Sequence, residues 1–425
     1  MKIALYVDNR KINDVDCSDL LKGNPGIGGT EYSILLLAQV LEKNSFDVIL
    51  LLEKRAIHPE VSQVRLVNRL DDVVKIAKEA DILIISSRRD GEPLGNIFFE
   101  QLNSNNIRTI IWGHNYYYSD YAKRIAACNA IKANVFVGRQ QYDRYIDHEI
   151  IKKSTYIYNM YPINSNKRRD KIKKHYVTYI GSLVPEKGFH VLAAAWKKVI
   201  ASVPDAELNV IGSGKLYSRA SKLGKFGIAE ESYENQFMPY LVDSNSNIIP
   251  SVHFYGVMGA EKADVIINSS VGVVNPTGRT ETFGISALDF ESMGVPVVTI
   301  SKGGFLDTII NKKTGILCEN INNISGAIIE LLKDDKKNTM YGTAAIELSS
   351  QFAPDKIIIK WEELFYTILN EDILPYYPPE NFIYNNLKWL RIANHNIKEL
   401  LHINGGPSVI GLETLVRKVL RRLGC

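Results

Sequence analysis

Asn275-Pro276-Thr277-Gly278-Arg279-Thr280-Glu281-Thr282-Phe283-Gly284-Ile285-Ser286-Ala287-Leu288-Asp289-Phe290-Glu291-Ser292-Met293-Gly294-Val295-Pro296-Val297 is the stretch on which the fold turns. An apolar strand over 271–274 enters it through a polar loop. A helix is expected from near Thr282 or Phe283. Gly294 and Pro296 stop that helix, and a second apolar strand follows over 297–300. Strand, loop, helix and strand in so short a span form one βα unit of a parallel sheet.

The same alternation runs outward in both directions. Upstream, strands are expected over 176–180, 207–211, 252–255 and 265–267, with a helix over 191–199; downstream, 324–332 has helical spacing. The first part of the chain repeats the pattern, with strands over 2–8, 46–52, 82–86 and 108–112 and helical spacing over 31–41 and 73–80. Between the two series lies Ile163-Asn164-Ser165-Asn166-Lys167-Arg168-Arg169-Asp170-Lys171-Ile172-Lys173-Lys174, a polar run that reads as an interdomain linker. The expected fold class is therefore α/β, with two consecutive Rossmann-like domains facing across a cleft. Residues 1–165 form the first domain, 166–360 the second, and 361–425 a helical extension. Ligands in such sheets sit beyond the carboxyl ends of the strands.

Bulk properties agree with two domains. The chain has 425 residues, 45% hydrophobic and 23% charged, a globular mixture. A net charge of +4 is too small and too dispersed for a nucleic-acid binder. Cys17, Cys128, Cys318 and Cys425 are scattered, as in a reducing compartment, and no secretory leader or spanning segment is visible. A cytoplasmic location is expected, with attachment to the inner face of the plasma membrane left open.

Several segments carry chemistry. Free N–H groups at the helix start around Thr282-Phe283-Gly284 would make an anion site. Glu281 stands at the mouth of that turn, placed for sugar hydroxyls, and Asp289 lies two turns further along, placed for a ribose diol. Taken alone, each has a plainer reading: Glu281 as a helix-capping residue, Lys187 as a solvated turn lysine, Gly212-Ser213-Gly214 as an ordinary turn. Asn24-Pro25-Gly26-Ile27-Gly28-Gly29-Thr30-Glu31 lets backbone approach a phosphate. A dinucleotide fingerprint is rejected there, although Glu53 ends the next strand, because Asn9 to Asn24 separates the glycines from the first strand. Asp14-Val15-Asp16 has the form of a metal-binding D-x-D but the wrong context. Trp112-Gly113-His114 and Ser87-Arg88-Arg89-Asp90 follow strands, where ligands bind; a structural histidine and a solvated loop are the equal alternatives.

Taken together and in order, these segments resemble glycosyltransferase family 4, a retaining family of GT-B architecture. Residues 281–289 are similar to its E-x7-E motif, with Asp289 where the family has its second Glu. Gly181-Ser182-Leu183-Val184-Pro185-Glu186-Lys187-Gly188 is similar to its G-R-L-x3-K-G loop, with Ser182 where Arg is usual. Ile211 to Gly214 and Val252-His253-Phe254-Tyr255-Gly256-Val257 resemble its I-V-G-x-G and V-x-F-x-G segments, and Gly28-Gly29 its G-G-x-E loop. The resemblance implies that Glu281 meets the transferred sugar, Asp289 the ribose, Lys187 the diphosphate, Gly256 and Val257 the base, and His114 the sugar or acceptor. Arg279 or Lys215 would replace the missing arginine. It implies a metal-independent enzyme without a cofactor. Its substrates would be a nucleotide diphosphate sugar, UDP by family frequency, and a cell-envelope glycan or lipid-linked acceptor of the lipopolysaccharide, capsule or O-antigen type. An epimerase or hydrolase on the same fold, or a non-catalytic sugar-nucleotide-binding subunit, stays open as an alternative.

In the tail, Leu412, Leu415, Val416, Val419, Leu420 and Leu423 recur at helical spacing, with Arg417, Lys418, Arg421 and Arg422 on the other side. Residues 411–425 thus read as a basic amphipathic helix, for an anionic membrane surface, the protein's own core or a second subunit.

Overall fold

A computed structural model describes residues 1–163, 175–215, 222–403 and 405–422. Most of the polar run 163–174, and Leu423, lie outside the described residues. The chain packs as two units. One comprises Met1–Ser18, Ser33–Asn159 and Asp355–Cys425, the other Asp19–Tyr32 and Met160–Pro354. The divisions expected at 165 and 360 therefore approximate units that each draw on more than one stretch of chain.

The first unit is built on a sheet of β1 (Lys2–Val7), β2 (Asp47–Leu52), β3 (Gln63–Leu66), β4 (Ile82–Ser86), β7 (Thr109–Gly113), β8 (Ile131–Phe136) and β9 (Ser154–Tyr156); a short ribbon, β5 (Arg88–Arg89) with β6 (Glu92–Pro93), follows β4. The order is β3-β2-β1-β4-β7-β8-β9 and every neighbouring pair is parallel. The sequence dictates this burial: Ile82-Leu83-Ile84-Ile85 and Val48-Ile49-Leu50-Leu51 are continuous apolar runs, inaccessible on both faces.

The second unit has β10 (Tyr176–Ile180), β11 (Glu207–Ile211), β12 (Val252–Gly256), β13 (Val271–Val273), β14 (Val297–Ile300) and β15 (Gly315–Cys318) in the parallel order β12-β11-β10-β13-β14-β15. Both sheets reverse their strand order once, between β1 and β4 and between β10 and β13. Such a switch point opens a crevice at the carboxyl ends of the strands.

Residues 265–267, expected as a strand, are instead the end of the helix Lys262–Ile266 and its C-cap, Ile267. Ala263 and Ile266, three apart, are the buried positions, and a short apolar run cannot by itself distinguish the two structures. Strands β3, β8, β9 and β15 escaped the sequence reading. In β8 the exposed Lys132 and the buried Asn134 interrupt the apolar run. The helices Pro354–Leu369, Lys388–Leu400 and Val409–Arg422 pack with the first unit.

Candidate active site

Strands β10 and β13 flank the switch point of the second unit, and the loops that leave them are knitted together. After β10 the chain makes a single turn, Pro185–Lys187. Gly188, at φ 68°, then turns it into the helix Phe189–Ser202. The Tyr179 hydroxyl donates to the Lys187 carbonyl (2.9 Å), and Thr277 Oγ1, from the loop after β13, donates to the Glu186 carbonyl (3.2 Å). A Cβ on Gly188 would lie 2.5 Å from Thr277 Cγ2, so only glycine allows this approach.

The result is an ion pair. Lys187 Nζ lies 2.9 Å from Glu281 Oε2, with the side chains 20% and 13% exposed. Asn275 Nδ2 donates to the same oxygen at 3.2 Å and to the Arg279 carbonyl at 2.9 Å. Asn275 (φ 25°) and Thr280 (φ 59°) are non-glycine residues in left-handed backbone, the kind of strain that surrounding structure must hold in place. Burial pushes the Glu281 carboxyl up, but the Lys187 ammonium and the hydrogen bonds from Asn275 and the Gly284 N–H outweigh it. The carboxyl is held below its ordinary range. Glu281 is thus a carboxylate with a cation beside it, reachable from solvent, at the carboxyl end of a parallel sheet.

The helix after this loop begins at Ile285, later than expected, because Gly284 is left-handed at φ 91°. Thr282 and Phe283 are buried in the preceding loop, Phe283 against Phe352, and the Gly284 N–H is spent on Glu281. Of the N–H groups expected as an anion cradle at 282–284, that of Gly284 thus points to the unit's own carboxylate.

Asp289 is buried and held from two sides: Lys262 Nζ lies 3.0 Å from Oδ1, and the Tyr161 hydroxyl donates to the same atom at 2.9 Å. Neither partner gave a signal in the sequence, since both come from distant segments. Glu291 faces Thr314 instead, and burial raises its carboxyl well above the ordinary range. Ser182 is buried and donates to the Ser213 carbonyl, so it supplies no charge. Arg279 is exposed and near enough to His190 to add to the burial that lowers that imidazole.

Gly28 and Gly29 open the helix Gly29–Lys43, and their loop belongs to the second unit. Asn24 Oδ1 accepts from the N–H groups of Gly26 and Ile27 (2.9 Å each), which orders the loop. Gly26 packs on Val257, and Gly29 approaches Ile285. The Gly28-Gly29 loop, Gly256-Val257 and the start of the Ile285 helix are thereby gathered in one unit with Lys187 and Glu281.

His114 belongs to the first unit. It is buried against Trp112 (ring centroids 4.6 Å apart), and burial pushes it down to about 3. Arg89, expected to meet a ligand, is spent on Glu53: Nε and Nη2 donate at 2.6 and 3.0 Å. Asp16 Oδ1 caps its own turn by accepting from the Ser18 N–H. Among the described residues, no group of His, Cys, Asp and Glu is arranged to hold a metal ion.

Comparison with known proteins bears on this geometry. Residues 162–348 match the family described as glycosyl transferases group 1. The chain is 25% identical over 241 residues to the N-acetyl-alpha-D-glucosaminyl L-malate synthase of Bacillus anthracis, covering 53% of this chain and 57% of that one. It is 24% identical over 222 residues to the capsular polysaccharide biosynthesis glycosyltransferase CapM of Staphylococcus aureus, covering 50% and 53%. The chain thus spans about half the length of the curated relatives it matches. The crystal structure of Anabaena HepE in complex with UDP and glucose superposes with a TM-score of 0.62 at 14% identity, over 86% of this chain and all of that one. The fold is that of the GT-B glycosyltransferases, and residues 162–348, which carry Lys187 and Glu281, match the model of the glycosyl transferases group 1.

Proposed function

We propose that the chain transfers a sugar, with retention of configuration, from a nucleoside diphosphate sugar to an envelope glycan or lipid-linked acceptor. The observation that carries this reading is the Lys187–Glu281 pair at the switch point between β10 and β13. Glu281 accepts hydrogen bonds from the sugar hydroxyls, and Lys187 shares its ammonium with the leaving diphosphate. The C1–O bond to the diphosphate breaks as an acceptor oxygen bonds C1 from the same face. The acceptor proton passes to the departing phosphate oxygen. A fixed cation beside the developing charge is the kind of preorganised electrostatics that dominates many catalysts. His114, kept neutral by burial, serves the acceptor side as a hydrogen-bonding group and not as a proton donor.

Similar proteins support the finer choices. HepE was crystallised with UDP and glucose, which favours a UDP-sugar donor, and CapM is a capsular polysaccharide enzyme, which favours an envelope acceptor. The tail favours a membrane surface. Ile410 and Thr414 are buried, and Glu413 pairs with Arg144 and Arg391, so one side of the helix Val409–Arg422 is docked on its own unit. The other side presents Leu412, Leu415, Val416, Val419 and Leu420, each 43–58% exposed. An apolar stripe beside Arg417 and Lys418 suits the interface of an anionic bilayer. No described helix is long and apolar enough to cross one.

The test is turnover of UDP-, GDP- and ADP-sugars with and without a lipid-linked acceptor. Acceptor-dependent release of one nucleoside diphosphate supports transfer. Turnover without acceptor would replace transfer by hydrolysis or epimerisation, and binding without turnover would leave a sugar-nucleotide-binding subunit.

A further inference from the structure

The second unit's sheet also presents a groove across one face of β10, β11 and β12, lined by residues other than those around Lys187 and Glu281. Side chains alternate across a sheet. Val177, Tyr179, Leu208, Val210 and Val252 face a packed core. The alternate residues face the other way. There the strand ends Ile180 and Ile211 are covered by Ala263 and Ile266. Tyr176, Glu207, His253 and Tyr255 on that face are open to solvent, and with the buried Asn209 between them they line a groove of about 520 Å³. A parallel sheet is ordinarily apolar and covered on both faces, so a polar, open stretch of one calls for a ligand.

The floor is preorganised. His253 Nε2 lies 3.2 Å from Glu207 Oε2, and the Tyr255 hydroxyl donates to Asn209 Oδ1 at 3.3 Å. Asn209 Nδ2 reaches Thr178 Oγ1 at 3.5 Å, and Thr178 is bonded to Ser269 at 2.6 Å. Asp264, Val265 and Asn268 form the facing wall. Among the described lining residues there are carboxylates, carboxamides, an imidazole and phenols, but no lysine or arginine. Phosphates and other anions are disfavoured by Glu207 and Asp264. Planar carboxylate and amide groups pair with vicinal hydroxyls, and tyrosine rings cover the C–H faces of a pyranose. The volume falls within the range of small-ligand pockets, about 300–1,000 Å³.

We propose that this groove is a second carbohydrate site, which holds a neutral oligosaccharide away from the reacting centre. Such a site raises the local concentration of a glycan without contributing to the chemical step. It stands independently of the donor-site reading, and its test separates the two. Maltotetraose, cellotetraose, chitotetraose and mannotetraose are titrated into the full chain, with binding followed by saturation-transfer NMR and calorimetry. At least one binds, and its Kd rises at least about tenfold in Tyr255→Ala and in Asn209→Ala while staying within about twofold in Glu281→Gln. Tyr255 is 46% exposed, so its truncation leaves the fold intact, and an unchanged melting temperature confirms it. The proposal is overturned if none of the four binds at about 10 mM, if Tyr255→Ala binds as well as the parent, or if Glu281→Gln abolishes binding.

Discussion

The two sheets of this chain are built to one plan and use their switch points in opposite ways. In the first unit the crevice between β1 and β4 is filled by the protein itself. Glu53, 5% exposed, takes hydrogen bonds from Arg89 and from the Tyr6 hydroxyl, and lies 3.1 Å from Arg10 Nε. Arg10 in turn holds Asp8, and the Asp90 N–H donates to Asp8 at 2.8 Å. In the second unit the crevice between β10 and β13 holds a carboxylate with a single lysine, both partly open to solvent. The difference is one of exposure. The Glu53 carboxylate is enclosed by two guanidinium groups and a phenol at 5% exposed, whereas Glu281, although bonded by Lys187, Asn275 and the Gly284 N–H, keeps 13% of its side chain open beside one ammonium. Equal position in a fold does not make equal function.

Exchanging charge for neutrality at the two carboxylates should separate them most sharply. Glu281→Gln is expected to lower kcat by about 10²–10³-fold, the cost of losing one preorganised polar contact to the reacting sugar. The fold should stay intact, with only the small loss of stability that goes with the missing charge pair to Lys187. Lys187→Ala is expected to lose turnover to a similar extent. Normal rates in both would remove the second crevice from the chemistry. Glu53→Gln is expected to do the reverse. It costs about 2–3 kcal/mol of stability through weakened hydrogen bonds to charged partners, while kcat of the folded fraction stays unchanged. Denaturant melts and initial rates on the same preparations read both arms.

The pH dependence sharpens the same contrast. His114 sits beside the strands of the first unit, and burial pushes its imidazole down to about 3. The unfolded chain takes up the proton near pH 6.5 while the folded chain does not. His114 therefore costs no stability above pH 6.5 and destabilises the fold progressively as pH falls from there toward 3. At pH 5 this is about 2 kcal/mol for one histidine. His148, pushed down to about 4, acts in the same direction. His114→Asn should flatten the decline in stability between pH 7 and pH 5 by about that amount. Glu281, held low, contributes stability above its unfolded value and loses it only as pH falls through the folded one. An inflection in kcat/KM between pH 5 and 7 that vanishes in His114→Asn would show that this histidine titrates in the working enzyme, against its burial.

How much of this could be read in advance follows from the range of each interaction. The strand–loop–helix–strand of 271–300 was legible because it is local: apolar runs, a polar loop and a Gly–Pro stop lie within one span. Lys187 and Glu281 were legible as members of an ordered series of segments, although the hydrogen bond between them joins residues far apart in sequence. What stayed hidden was the satisfaction of each side chain. Nothing near Asp289 announces Lys262 or Tyr161, and nothing near Arg89 announces Glu53. The left-handed Gly284, which delays the helix and turns its N–H onto Glu281, is likewise a property of the folded loop and not of the local pattern.

The smallest expected effect concerns the Gly28-Gly29 loop, which joins the second crevice from a distant part of the chain. A Cβ on Gly28 would come within 2.3 Å of Glu31 Oε2, the far end of a flexible side chain, so the helix Gly29–Lys43 can absorb it by moving Glu31. Gly28→Ala should therefore leave the fold and kcat nearly unchanged. If the loop lies against the donor phosphates, the shifted carboxylate and added methyl raise the donor KM by about threefold, or ~0.7 kcal/mol. Acceptor KM should not move. An unchanged donor KM would mean that the loop's glycines serve only its packing on Val257, and would leave Lys187 as the main cation-side contact of the open crevice.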